Sequence, residues 1–104
     1  MKHKNIFVAC DTSNLSEIKE IIKKTLTKKL KIIPKIGLQF FYSKNGRKFL
    51  ENLKIDFWLD LKINDIPQTA LSAVDSLKDL KRCKYITVHA NGGFEMLKAV
   101  KKKT

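Results

Sequence analysis

Four strand-length apolar runs recur along this chain at nearly constant spacing, and no other feature limits the fold as much. They begin near residues 6, 31, 56 and 85, so the repeat is 25 to 29 residues. Ile6-Phe7-Val8-Ala9-Cys10 is the plainest of them. Continuous apolar runs of this length suit strands buried on both faces, as in parallel sheets. Each run is followed by apolar residues at helical spacing. Consecutive βα units with short connections imply right-handed crossovers and a parallel sheet.

Local signals place the elements. Asn14 can cap a first helix with Glu17 three residues on, and Leu15, Ile18, Ile21, Ile22 and Leu26 form its apolar side. Residues 30–37 read as the second strand, although Pro34 cannot donate to a ladder. Short helical pieces are expected over 38–42 and 47–53. The third strand spans 56–62. A helix over 66–80 has Pro67 in its first turn, where the missing N–H costs nothing, and Asp65 is a candidate N-cap. Residues 85–90 form the fourth strand, Asn91-Gly92-Gly93 a tight turn, and residue 94 starts a last helix. Lys101-Lys102-Lys103 reads as a frayed, solvated end.

Polar residues gather after the strands: Asp11, Lys35, Asp60 with Lys62, and His89 with Asn91. Sites at the C-terminal ends of strands are the mark of a (β/α)8 barrel, which needs eight units and about 250 residues. The expected fold is therefore α/β, of the (β/α)8 TIM-barrel type, with only the first four βα units present. Residues 1–104 form a single partial domain, a half-barrel of parallel strands. Strand alternation puts Asp60 and Lys62 on the same face. A buried strand carries such charges only when they are paired or face a site. Asp11 has a strand-end turn residue as its second reading, and His89 reads as a structural histidine.

The formal charge of +12 comes from 22 basic and 10 acidic residues. Only Arg47 and Arg82 are arginine, whereas nucleic-acid readers favour the directed guanidinium fork. The basic residues are also spread along the chain, so nucleic acid is not an expected partner. The positive field would favour an anionic metabolite. Cys10 and Cys83 lack metal-ligand spacing and read as buried free thiols of a reducing compartment. The basic start at residues 1–4 leads into too short an apolar run for a secretory signal, and no run is long enough to span a membrane. A cytoplasmic location is expected.

The motifs Val8-Ala9-Cys10-Asp11, Lys35-Ile36-Gly37, Asp60-Leu61-Lys62-Ile63-Asn64-Asp65-Ile66-Pro67-Gln68-Thr69 and His89-Ala90-Asn91-Gly92-Gly93 follow the four strands in order. In this set the chain resembles the orotidine 5′-phosphate decarboxylase family over essentially its whole length. Gln68 departs from the family, which usually has Asn there. The resemblance implies cofactor-free decarboxylation of orotidine 5′-phosphate to UMP, the last step of UMP biosynthesis, without a metal. It implies that Lys35, Asp60, Lys62 and Asp65 form an alternating charged network. Asp60 would lie against the substrate carboxylate, and Lys62 would deliver a proton to C6. Lys35 and Asp11 would hold ribose hydroxyls. Asp65 and Thr69 would reach the neighbouring subunit's site, which implies a homodimer.

The family's phosphate grip lies in later βα units, beyond these four. Little activity is therefore expected of the chain alone, and a second polypeptide or a second copy could close the barrel. It would then be a fragment, a truncated or split product, or a relic. The alternative is a decayed, non-catalytic basic protein with a structural or nucleic-acid-binding role.

Overall fold

A computed structural model describes residues 4–104; Met1, Lys2 and His3, in the basic start weighed above as a signal, lie outside the described residues. The elements follow in the order β1 (Asn5–Cys10), α1 (Leu15–Thr25), β2 (Lys31–Gly37), α2 (Leu38–Phe41), α3 (Gly46–Glu51), β3 (Phe57–Ile63), α4 (Pro67–Asp75), β4 (Cys83–Val88), a 3-10 turn (Ala90–Gly92) and α5 (Phe94–Lys103). The four strands form one parallel sheet in the order β1-β2-β3-β4. This is the arrangement of the first four units of a (β/α)8 barrel.

Alternation sorts the strand residues onto two faces. Cys10, Ile36 and Leu59 meet Ile18 of α1, Phe40 and Phe41 of α2, Leu50 of α3, and Leu77 and Leu80 beyond α4. Ala70 and Val74 of α4 pack on Met96 and Val100 of α5, over Ile63, Ile86 and Val88. The helices thus cover one face. On the other face Phe7 stands edge-on to Trp58 and Tyr85, with ring centroids 5.1 and 5.3 Å away. Phe7 and Tyr85 remain 42% and 40% exposed. The molecule is a slab of 40 × 38 × 23 Å, one sheet and one helix layer thick. Its radius of gyration of 14.4 Å exceeds the ~13 Å of a compact chain of this length.

The proline in β2 fits its place. Pro34 pairs opposite Val8, and the ladder to β3 begins only at Lys35. Asn14 caps α1 as expected, its Oδ1 accepting from the Glu17 N–H at 3.2 Å and the Ser16 hydroxyl at 2.6 Å. Other boundaries differ from the sequence reading. The N-cap of α4 is Ile66, not Asp65, whose carboxylate accepts from the Ile66 N–H instead. That helix stops at Asp75 because the Ser76 hydroxyl donates back to the Ala73 carbonyl and tighter turns carry the chain on. β4 runs two residues earlier than expected and ends at Val88, leaving His89 outside it. Lys101–Lys103 belong to the last turn of α5, where cations suit the helix dipole; Lys103 Nζ lies 3.8 Å from Asp75 Oδ1.

Candidate active site

Among the described residues Asp60 is the buried charge, 8% exposed in the C-terminal half of β3. Lys62 Nζ lies 2.8 Å from its Oδ2, and Lys35 Nζ lies 3.5 Å from the same oxygen. Lys35 comes from β2, two residues before Gly37, which pairs with Asp60. Its ammonium also sits 5.5 Å from the centroid of the Trp58 ring, within cation–π range. The Lys62 ammonium hydrogen-bonded to Asp60 holds its carboxyl below the usual carboxylate range, against the opposing effect of burial; the Thr87 hydroxyl and the charge of Lys35 add to it. The carboxylate therefore stays ionised between two cations.

Alternation puts Asp60 and Lys62 on one face, with Leu59, Leu61 and Ile63 turned to the helices, but the ladder beside them is irregular. Leu59 pairs with Ile86 and Ile63 with Val88, so Asp60, Leu61 and Lys62 together face Thr87 alone. This bulge puts Lys62 at φ 53°, in the left-handed region that non-glycine residues rarely adopt. The side chain, 55% exposed, then folds back onto Asp60. Bulges commonly re-aim a side chain beside a site.

Asp11 is exposed at the end of β1 and shares with Asp60 and Lys62 a cleft of about 210 Å³, also lined by Thr12, Gly37 and Gln39. Asp65 and Thr69 line a neighbouring cleft of about 350 Å³ with Tyr42, Leu61 and Asn64, and Lys62 borders both. Among the described residues no ion pair joins Asp65 to Lys35 or Lys62. The structure thus brings together three of the four charges expected in the network, with Asp11 beside them. His89 donates its backbone N–H to the Ile63 carbonyl at 2.8 Å, tying the rim of β4 to β3. Among the described residues no three His, Cys, Asp or Glu side chains are placed to hold a metal ion, and no helix is long and apolar enough to cross a membrane.

A carboxylate flanked by two ammonium groups at strand C-termini, on the first four units of a barrel, narrows the kinship. Residues 4–104 match the orotidine 5′-phosphate decarboxylase / HUMPS family. The chain belongs to that family. The orotidine 5′-phosphate decarboxylase of Streptococcus pyogenes serotype M5 is 35% identical over 103 residues, 97% of this chain and 44% of its own length. That of Lactobacillus johnsonii is 37% identical over 99 residues, 92% of this chain and 41% of its length. The crystal structure of the orotidine 5′-phosphate decarboxylase from Lactobacillus acidophilus superposes with a TM-score of 0.83 at 31% identity, covering 95% of this chain and 44% of that one. The chain spans less than half the length of these relatives.

Within this decarboxylase-family chain, sequence reasoning passed over Thr87. Trp58 Nε1 donates to Thr87 Oγ1 at 2.8 Å, and both side chains lie on the face that carries Lys35 and Asp60. The available signal was positional. Thr87 stands two residues before His89, near the end of the strand that leads into the His-Ala-x-Gly-Gly motif.

Proposed function

We propose that these residues carry the charged half of an orotidine 5′-phosphate decarboxylase site, converting orotidine 5′-phosphate to UMP and CO2 without a cofactor. One observation carries the reading: the buried Asp60 carboxylate held between Lys35 and Lys62 at the strand ends of a member of this family. In the reaction the bond from C6 to the carboxylate carbon breaks and CO2 departs. The electron pair stays on C6 and takes a proton from Lys62 Nζ. Asp60, next to the substrate carboxylate, disfavours the bound ground state, while Lys62 stabilises the charge that develops at C6. Lys35 and Asp11 bind ribose hydroxyls.

Asp65 and Thr69 serve the site of a second subunit in a homodimer. Their separate cleft supports this, as do the exposed Tyr42 and Ile66 near it, 73% and 67% accessible. The enzyme acts in the cytoplasm. Residues 1–104 are one partial domain, and the phosphate-binding units complete the barrel from another segment or another polypeptide. Turnover depends on them, because remote binding energy is what lowers the barrier at the reacting carbon. The test joins residues 1–104 to the second half of the Lactobacillus acidophilus enzyme and follows UMP formation. A folded hybrid is expected to turn over; a folded hybrid that binds orotidine 5′-phosphate but forms no UMP contradicts the reading.

A further inference from the structure

We infer that Trp58 and Thr87 are positioning residues that hold the Asp60 carboxylate in its place between the two lysines. The inference rests on the proposed decarboxylase site for its functional meaning, but its geometry is independent of that reading. The bulge in β3 leaves Thr87 as the residue of β4 opposite Asp60, Leu61 and Lys62. An indole N–H can only donate, and that of Trp58 donates to Thr87 Oγ1 at 2.8 Å. The Thr87 hydroxyl, with one acceptor site so engaged, keeps its own proton for another partner. The register sets Thr87 opposite Asp60, and its hydroxyl helps hold that carboxyl below its ordinary range.

The same indole ring faces Lys35 Nζ at 5.5 Å, and Lys35 is the second cation on Asp60. Trp58 therefore reaches Asp60 by two routes. Its N–H orients the hydroxyl on one side, and its ring face steadies the ammonium on the other. Phe7 and Tyr85 stand around the ring, at 5.1 and 6.4 Å between centroids, and limit its rotation. The charged groups facing Asp60 are Lys62 on its own strand and Lys35 on β2, with Asp11 across the cleft at the end of β1. Thr87 is the neutral donor among them, so it supports the ionised carboxylate without adding charge near an anionic substrate.

The test is the titration of the Asp60 carboxyl carbon by NMR, in the 104-residue chain and in the barrel-completed hybrid. Thr87→Val keeps the branched shape and removes the hydroxyl, and it is expected to move the Asp60 midpoint upward. Thr87→Ser is expected to restore it, and Trp58→Phe to move it in the same direction as Thr87→Val. In the hybrid, the acid limb of the kcat/KM profile should move with the NMR midpoint. An unchanged midpoint in Thr87→Val, or a Thr87→Ser variant that behaves like Thr87→Val, overturns the inference. A hybrid with no turnover but the expected NMR shifts removes the proposed function and leaves the positioning role standing.

Discussion

Lys62 answers two demands that pull against each other. Its ammonium must meet Asp60, and its backbone must adopt φ 53° to let it. A left-handed L-residue costs about 1–2 kcal/mol, which glycine escapes for lack of a Cβ. The ion pair cannot repay much of this, since the lysine side chain is 55% exposed and pairs so open to solvent contribute little. Strain kept at such a position is a mark of function. Comparing Lys62→Gly with Lys62→Ala isolates the backbone, because both lose the ammonium. Lys62→Gly should be the more stable by about 1 kcal/mol in urea denaturation. Equal stabilities would show that the left-handed conformation costs nothing. Strand alternation made the shared face of residues 60 and 62 legible, but not the bulge and the left-handed backbone at Lys62. Alternation presumes a regular ladder, and a bulge depends on how β3 and β4 twist together, which neither strand's composition reveals. Thr87 was hidden for the same reason, since its neighbours on β3 are set by that irregular register.

At the level of elements, a second charged cluster fastens the opposite ends of the strands. Asp56, just before β3, lies 2.9 Å from Lys31 Nζ at the start of β2 and 3.1 Å from Arg82 Nη2, just before β4. Burial alone would raise the Asp56 pKa. The hydrogen bond from Lys31, with the charges of Arg82, Lys31 and Lys84, outweighs it and holds the carboxyl below its ordinary range. A carboxyl depressed in the folded state stabilises the fold above its unfolded pKa of about 3.9 and loses that contribution as pH falls through the folded value. Asp60 has the same sign. The thermal midpoint of the chain should therefore hold between pH 7 and about 5 and drop below about 4. Asp56→Asn should lower the midpoint at neutral pH and shallow the acid drop. An acid drop as steep as that of the parent would remove Asp56 from the account. The apolar spacing and the capping signal of Asn14 made most element positions readable. The ends of α4 and β4 were not, because Ser76 back-bonding and the last β3–β4 pair, Ile63 with Val88, decide them in three dimensions.

For the molecule as a whole, the open sheet face is the governing fact. Phe7, Trp58 and Tyr85 stand where the interior of a closed barrel would be, and among the described residues β1 and β4 are the edges of the sheet. Exposed edges and aromatic faces favour association with further strands. The four-unit repeat made this legible in advance, since a spacing of 25 to 29 residues over 104 leaves room for half of an eight-unit barrel. Which strands close it depends on a surface outside these four units. The function follows the same division. The charges proposed to act on C6 lie here, and the proposed contacts to the phosphate fall to the units that would complete the barrel. The most direct measurement is UMP formation by the barrel-completed hybrid with and without Lys62→Ala. Loss of the proton donor and of its stabilising charge should lower kcat/KM by about three orders of magnitude or more, while the fold persists. Turnover within tenfold of the parent would contradict the role of Lys62, and with it the central claim that this cluster performs the decarboxylation.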